Sequence, residues 1–557
     1  MRKIRNVKIL AIIGILEILF GSILISSANS AEIVTGEETI LNEEDELSQK
    51  YSSLTEDDIF VPGELIIKFR DKASVQLSTS NDGFLKTDID SIDNLNRKYN
   101  VKSAEKLLED SPFASEKDLY KVTIDDEADV LSAMDAYQKD SNIEYAEPNY
   151  VLRYATAYGQ TGGGSINSDH TQLGLIPNDP ELDNQYALDK IKAFQGWENI
   201  NGFGSKDIVI AIVDSGIDYN HPDLFDNIWV NPDIVKDTDS DGDIDIHDLD
   251  LNKDRKISNY ERNYYGLSAD VMGWDFWLIN SNDPMDYFCH GTMVAGIAGA
   301  VTNNGIGISG VAGNCKIMNV KAGGVGLFYW DAVQAVEYAA NHNPDIISMS
   351  FGSKDTFFWP EDGEGGIAMR DAINNAYSKG IVIVACAGNQ KTDDRCYPAA
   401  FDNVIGVAGT DENDQRWSDP IMGSNYNSED DKWIDVAAPA AKIFTTFPGG
   451  VYTDFLSGTS FAAPHVAGLA ALLLSKNPSL TNIEVRNLIN EGADQINTDK
   501  DIGAGRINVY KSLSLIQDPP IIPVNLPSGS TSMDGSSTSN TQIPSESIGM
   551  TSLPSLR

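Results

Sequence analysis

Basic residues, cysteines and histidines are all scarce in this chain, and each shortage argues against a class of function. Lys and Arg number 41 against 83 Asp and Glu in 557 residues, a formal net charge of -42. A field of that sign repels nucleic acid and anionic lipid and favours solubility or cation binding. The four cysteines, Cys289, Cys315, Cys386 and Cys396, are too few for a disulfide framework. Cys386 and Cys396 flank a short loop and remain open to either reading, a pair in an oxidising compartment or two free thiols. The six histidines include no HExxH or other paired ligand spacing, which argues against a zinc enzyme. Beyond the first 31 residues no run is long and apolar enough to span a bilayer.

What is present divides the chain into segments. Arg2, Lys3, Arg5 and Lys8 precede an apolar run from Ile9 to Ile25, and small residues from Ser26 to Ala31 follow. Residues 1–31 therefore read as a secretory signal peptide. Glu17 in mid-run argues against an uncleaved anchor, where it would cost about 2–3 kcal/mol. Residues 32–57 form an acidic spacer. In 58–155, GELIIKF (63–69), LYKVTI (119–124) and IEYAEPNYVLRY (143–154) read as strands. The stretch 127–138 reads as a helix with Val130, Met134 and Tyr137 on one face, so the segment is a small α+β domain. A linker rich in Gly, Ser and Asn spans 156–179.

Residues 180–514 change pattern. DIVIAIV (207–213), DIISMSF (345–351) and GIVIVACAG (380–388) are nearly continuous apolar runs, as strands buried on both faces require. AVQAVEYAA (332–340) has helical spacing between them. The expected fold is α/β, a doubly wound and mostly parallel sheet, with functional groups at the carboxyl ends of its strands. Residues 515–557, rich in Pro, Ser and Thr, read as a disordered tail.

Three motifs bear on chemistry: IVDSGID (212–218) with Asp214, HGTMVAGIAG (290–299) with His290, and SGTSFAAPHVAG (457–468) with Ser460. A serine hydroxyl is a poor nucleophile until a base takes its proton, and the base needs an acid to hold its tautomer. Alone, DSG is a turn and GTS a helix cap. The run GTSFAAPHVAG has no such bland reading. CAGN (386–389) adds Asn389, an amide suited to holding developing negative charge.

With these four motifs in the order Asp, His, Asn, Ser, the chain resembles the subtilisin-like serine peptidases, or subtilases, over roughly 60–153 and 180–510. The resemblance implies that Asp214 orients the imidazole, His290 is base and then acid, Ser460 attacks, and Asn389 stabilises the oxyanion. It implies substrate backbone along SMSFG (348–352), paired with Ser350 and Gly352, with VKAGG (320–324) opposite. It also implies that 58–155 is a propeptide that assists folding and inhibits, cut between Tyr154 and Asn178 with 155–158 favoured. Met293 and Phe461 depart from the usual family residues without touching the triad. Cys289, where a small residue is usual, predicts sensitivity to mercurials. Gln390 and Cys396 fall near the pocket for the residue before the scissile bond and favour neutral or apolar side chains there.

Within an insertion spanning 232–272, Asp237 to Glu261 hold nine acids. Asp237, Asp239 and Asp241 alternate, with Asp243, Gly242 and Asp248 completing an EF-hand-type spacing for calcium. A second loop offers Asp250, Asn252, Asp254 and Glu261, with Arg255 at its glycine position, a cost of about 1–2 kcal/mol in a left-handed conformation. The resemblance adds a further calcium site at Asp223, Asn304 and the carbonyls of 303–310. The expectation is a secreted, calcium-stabilised, autoprocessed serine endopeptidase acting on proteins and peptides as a monomer. Its own propeptide is an intramolecular inhibitor, and neither nucleic acid nor a membrane span is involved. The alternative is a catalytically silent, calcium-dependent adhesion protein on the same fold.

Overall fold

The apolar runs become the centre of a seven-stranded sheet, in the order Val436–Pro439, Ile405–Thr410, Val382–Cys386, Ile346–Met349, Val209–Asp214, Lys316–Lys321, Gly273–Asp275. Every neighbouring pair is parallel. The computed structural model describes residues 59–516, apart from 71–77, 80–84, 88, 109–117, 126–127, 155–156, 159–173, 267–268, 278–279, 325 and 355–365. The signal peptide, the acidic spacer, most of the linker and nearly all of the tail lie outside the described residues. Among the described residues no helix is long and apolar enough to cross a membrane.

From Val209–Asp214 the chain first builds outward through Gly273–Asp275 and Lys316–Lys321, then returns to the other side at Ile346–Met349. The order of strands therefore reverses beside Asp214, where a doubly wound sheet opens a crevice at its carboxyl edge. On one face lie the helices His290–Gly299 and Thr459–Lys476, both almost wholly buried. On the other lie Tyr329–Asn341 and Ile367–Ser378. The two faces carry separate apolar cores, one with Ile210 and Ile212, the other with Ala211 and Val213, as the alternation of a strand demands.

Residues 59–154 build an antiparallel sheet in the order Ile143–Tyr154, Phe60–Phe69, Leu119–Thr123, Ser103–Lys106. The helix expected at 127–138 begins at Val130, because Asp129 accepts from the Leu131 N–H and caps it. Val130 and Tyr137 are buried with Ile92 of a second helix, Asp90–Lys98, which the sequence reading missed although Ile89, Ile92, Leu95 and Tyr99 recur at helical spacing. The strand Ile143–Tyr154 leaves this sheet at its far end. There it pairs antiparallel with Phe351–Lys354 on one side and Leu327–Phe328 on the other.

That docking is polar as well as apolar. Glu147, buried, accepts from the Ile367 and Ala368 N–H groups at 2.9 and 3.0 Å and from the Tyr329 hydroxyl at 3.2 Å. Asn149 accepts from the Trp330 N–H at 2.9 Å. Each side chain thus satisfies orphan donors at the start of a helix in the larger unit. Burial pushes the Glu147 carboxyl up to about 7, against the lowering effect of its three donors.

Candidate active site

Asp214 ends the central strand and His290 opens the helix that crosses it. His290 Nδ1 lies 2.7 Å from Asp214 Oδ1, with both side chains buried. Two local features hold this contact. Gly291 lets the helix sit against the chain, since a Cβ there would collide with the Gly216 carbonyl. Asp286, buried, accepts from the Phe288 and Cys289 N–H groups at 2.8 Å each, from the Thr292 N–H at 2.9 Å and from Ser215 Oγ at 3.0 Å. Asp286 is a residue the sequence reading missed. It stands four residues before the helix start, too far to be read as an ordinary cap, and nothing near it in the sequence marks its role.

Ser460 stands in the first turn of Thr459–Lys476. Its Oγ donates to the Ser350 carbonyl at 2.9 Å, and Ser350 Oγ donates to the Ser460 carbonyl at 2.8 Å. The Ser460 carbonyl is open to Ser350 because Pro464, four residues on, has no N–H to give it. His290 Nε2 has no hydrogen-bond partner among the described residues. Asn389 follows the strand Val382–Cys386, and its Oδ1 accepts from the Thr459 N–H and hydroxyl at 3.0 and 2.8 Å. This fixes the amide and leaves the buried Nδ2 without a partner among the described residues. The structure thus brings Asp214 to His290 and Asn389 to Thr459 beside Ser460, while Ser460 Oγ turns to Ser350 and His290 Nε2 and Asn389 Nδ2 are without partners among the described residues.

Residues 205–506, more than half of the chain, match the subtilase family of peptidase S8.

The chain belongs to the subtilase family.

Residues 48–149 match the fervidolysin N-terminal prodomain. Thermitase of Thermoactinomyces vulgaris is 37% identical over 341 residues, which cover 60% of this chain and 99% of thermitase. The thermophilic serine proteinase of Bacillus sp. strain AK1 is 33% identical over 390 residues, 69% of this chain and 76% of the relative. Subtilisin E of Bacillus subtilis is 32% identical over 331 residues, 58% and 70%. This subtilase is a subtilisin-like serine endopeptidase with a prodomain.

In the subtilase the prodomain strand lies in the cleft, Gly352 opposite Arg153 and Phe351 opposite Tyr154. Ser350, expected to pair with substrate, here accepts from the Ser460 hydroxyl through its carbonyl. Cys396 Sγ reaches toward both Gly352 and Gly388, since a Cβ on either would come within 2.8 or 3.0 Å of it. Gln390 is exposed, and its Oε1 accepts from Asn425 Nδ2 at 2.9 Å. All four cysteines are free thiols, so the pairing left open for Cys386 and Cys396 is absent. Cys289 caps the His290 helix in a left-handed conformation, φ 83°, and burial pushes its thiol up to about 12.

The two acidic loops share one conformation. Ser240 and Gly242 of the first have positive φ, as do Lys253 and Arg255 at the matching places of the second. Asp237 accepts from the Gly242 N–H at 3.2 Å, and Asp250 accepts from the Arg255 N–H at 2.7 Å. Asp248 and Glu261 close each loop with a capping box, to Asp245 and Ser258. Oxygens of Asp237, Asp239 and Asp248 lie within 4.8 Å of one another. Asp241 and Asp243 are outside that group, and Asp243 faces Lys206 at 3.4 Å. In the second loop Asn252 and Asp254 remain at the rim, Asn252 Oδ1 accepting from the Asp254 N–H at 2.9 Å. The left-handed Arg255 is held by Asp226 at 2.8 Å and by the face of Phe225.

Asp223 and Asn304 meet, Asn304 Nδ2 donating to Asp223 Oδ1 at 2.9 Å. Burial, with the nearby charge of Asp179 adding to it, pushes Asp223 up to about 7. Asp179 went unnoticed in the sequence. It accepts from the Asn303 and Asn304 N–H groups at 2.8 and 3.0 Å and from Ser309 Oγ at 2.6 Å.

Proposed function

We propose that this subtilase is a secreted, calcium-stabilised precursor that processes itself and then hydrolyses protein substrates through an acyl-enzyme, with Asp214, His290, Ser460 and Asn389 as its machinery. The observation that carries the reading is the strand Ile143–Tyr154, laid as a peptide along Phe351–Gly352 beside the Asp214–His290 pair. Ser460 Oγ leaves the Ser350 carbonyl, gives its proton to His290 Nε2 and attacks the carbonyl carbon of the bound peptide. Asp214 keeps the proton on Nδ1 and offsets the charge of the imidazolium. The oxyanion is held by Asn389 Nδ2, whose missing partner suits that task, and by the Ser460 N–H at the helix start. His290 then returns the proton to the leaving amine, and water repeats the sequence to release the acid.

Calcium fits two places on chemical grounds. Asp237, Asp239 and Asp248 offer convergent hard oxygens, with Asp241, Asp243, Asp250, Asn252, Asp254 and Glu261 as the remaining donors of the paired loops. At the second place, Asp223 and Asn304, the support is burial and the neighbouring Asp179 charge raising Asp223, which a cation would relieve, although Asn304 now turns its Nδ2 and not its oxygen to Asp223. Bound there, calcium supplies structural cross-linking.

The test is the Ser460→Ala precursor. It should be secreted uncut at 155–158 and should leave casein intact, whereas the unaltered chain yields a protein beginning in or after that zone. Identical processing of both would refute the reading.

A further inference from the structure

The prodomain strand carries side chains as well as backbone into the cleft, and one of them meets an uncommon setting. Antiparallel register puts Tyr154 opposite Phe351 and Arg153 opposite Gly352. One step further lies Ser350, whose carbonyl accepts the Ser460 hydroxyl at 2.9 Å. A peptide bound in this register thus presents the residue after position 154 to Ser460, and Tyr154 marks the second residue before the bond to be cut. Its ring lies 4.5 Å from the His290 ring, tilted by 39°. It stacks on Phe288 at 5.5 Å and 28°. Two aromatic faces, one of them the general base of the proposed mechanism, therefore contact one side chain.

The end of the ring is accommodated by an absence. A Cβ on Gly323 would come within 2.5 Å of the Tyr154 hydroxyl. That hydroxyl is buried and has no hydrogen-bond partner among the described residues. The setting therefore rewards the ring and gives nothing to the oxygen, so phenylalanine should serve at least as well as tyrosine. Arg153, the preceding residue, is exposed.

We propose that Phe288 and Gly323 make this subtilase select an aromatic side chain on the second residue before the scissile bond. The inference deepens the proposed peptidase reading and rests on it. An offset stack adds to the burial of the ring itself, which a leucine of similar hydrophobicity cannot reproduce. Expected, in kcat/KM, is an advantage of about fivefold for Phe over Leu and about 30-fold over Gly.

The measurement uses processed enzyme and four peptides, acetyl-Leu-Arg-X-Ala-p-nitroanilide with X as Phe, Tyr, Leu or Gly, with casein in parallel. Support is the order Phe at or above Tyr, then Leu, then Gly, with the Phe-to-Leu ratio collapsing toward one in Phe288→Ala. Gly323→Ala is the second variant; its methyl also presses on the Gly326 carbonyl and Leu327, which lowers all four rates alike, and its contact with the hydroxyl should penalise Tyr more than Phe. Casein cleavage with all four peptides equal within about twofold overturns this inference and leaves the peptidase reading standing, as does an unchanged Phe-to-Leu ratio in Phe288→Ala. Failure to cleave both casein and peptides overturns both.

Discussion

Ser350 and Ser460 are joined by two reciprocal hydrogen bonds, each hydroxyl donating to the other's carbonyl at 2.8 and 2.9 Å. The pair exists because Pro464 cannot give the Ser460 carbonyl its helical N–H. It ties the start of the Ser460 helix to the end of the strand Ile346–Met349, and so the proposed nucleophile to the edge on which the prodomain strand lies. Ser350→Ala leaves a buried carbonyl without a donor, a cost of about 1–3 kcal/mol. A thermal unfolding midpoint several degrees lower, with reduced kcat, is the expected result.

The orphaned amide of Asn389 gives a sharper prediction. Asn389→Ala should lower kcat by about 10²–10³ with little change in KM, the size known for subtilisin rather than calculated for this chain. Asp214→Asn should lower it by about 10⁴ through the wrong imidazole tautomer. Steady-state kinetics on a chromogenic peptide checks both, and a purely KM effect in Asn389→Ala would contradict the oxyanion role.

Glu147 makes the docking of the prodomain depend on pH. Its carboxyl rises from an ordinary 4.5 to about 7 by burial. A raised value favours the protonated form in the docked state, so the contribution is full below about pH 4.5 and is lost as pH climbs through 7. The span corresponds to something on the order of 3 kcal/mol. In the uncut Ser460→Ala precursor, the midpoint of thermal unfolding should fall between pH 5 and 8, and Glu147→Gln should shrink that fall. Equal slopes with and without Glu147→Gln would remove Glu147 as the cause.

Calcium removal should speed heat inactivation. A cation that binds only the folded chain stabilises it by about 2.7 kcal/mol at a hundred times its Kd. The half-life at elevated temperature should shorten in EDTA and recover on adding Ca2+, and Asp237→Asn with Asp248→Asn should blunt the response. An unchanged half-life would argue against a structural ion.

The thiol of Cys289 should be sluggish despite its place beside His290. With its pKa pushed from an ordinary 9.0 up to about 12, the thiolate fraction near pH 8 is about a thousandfold below that of a free cysteine. Mass spectrometry after iodoacetamide should find Cys289 unmodified in the native chain and alkylated after denaturation. Mercurials, which bind thiols far more tightly, should inhibit the unaltered enzyme more than Cys289→Ser.

Much of this was legible before any coordinates. Strand Ile143–Tyr154 begins and ends where its pattern does, Ile346–Met349 and Val382–Cys386 fall within their apolar runs, and Val209–Asp214 passes the end of its run by one residue, Asp214. Helix Asp90–Lys98 escaped because seven of its nine residues, all but Ile92 and Leu95, are polar or charged, and Asn96 and Asp93 are buried through hydrogen bonds rather than apolar contact. Asp286, Asp179 and Glu147 escaped for a related reason: the residues beside an acid carry no mark of the N–H groups it will meet.

Local residue types by themselves settled which segments are strands buried on both faces, where an acid, an imidazole and an alcohol end their elements, and where acidic loops turn, because propensity and periodicity act over a few neighbours. Only the folded chain decided that Ser460 rests on Ser350, that Glu147 and Asn149 seat the prodomain on two helix starts, and that Tyr154 lies between Phe288 and His290. Those contacts join residues tens to hundreds of positions apart, and their partners are chosen by how the sheet and its helices pack.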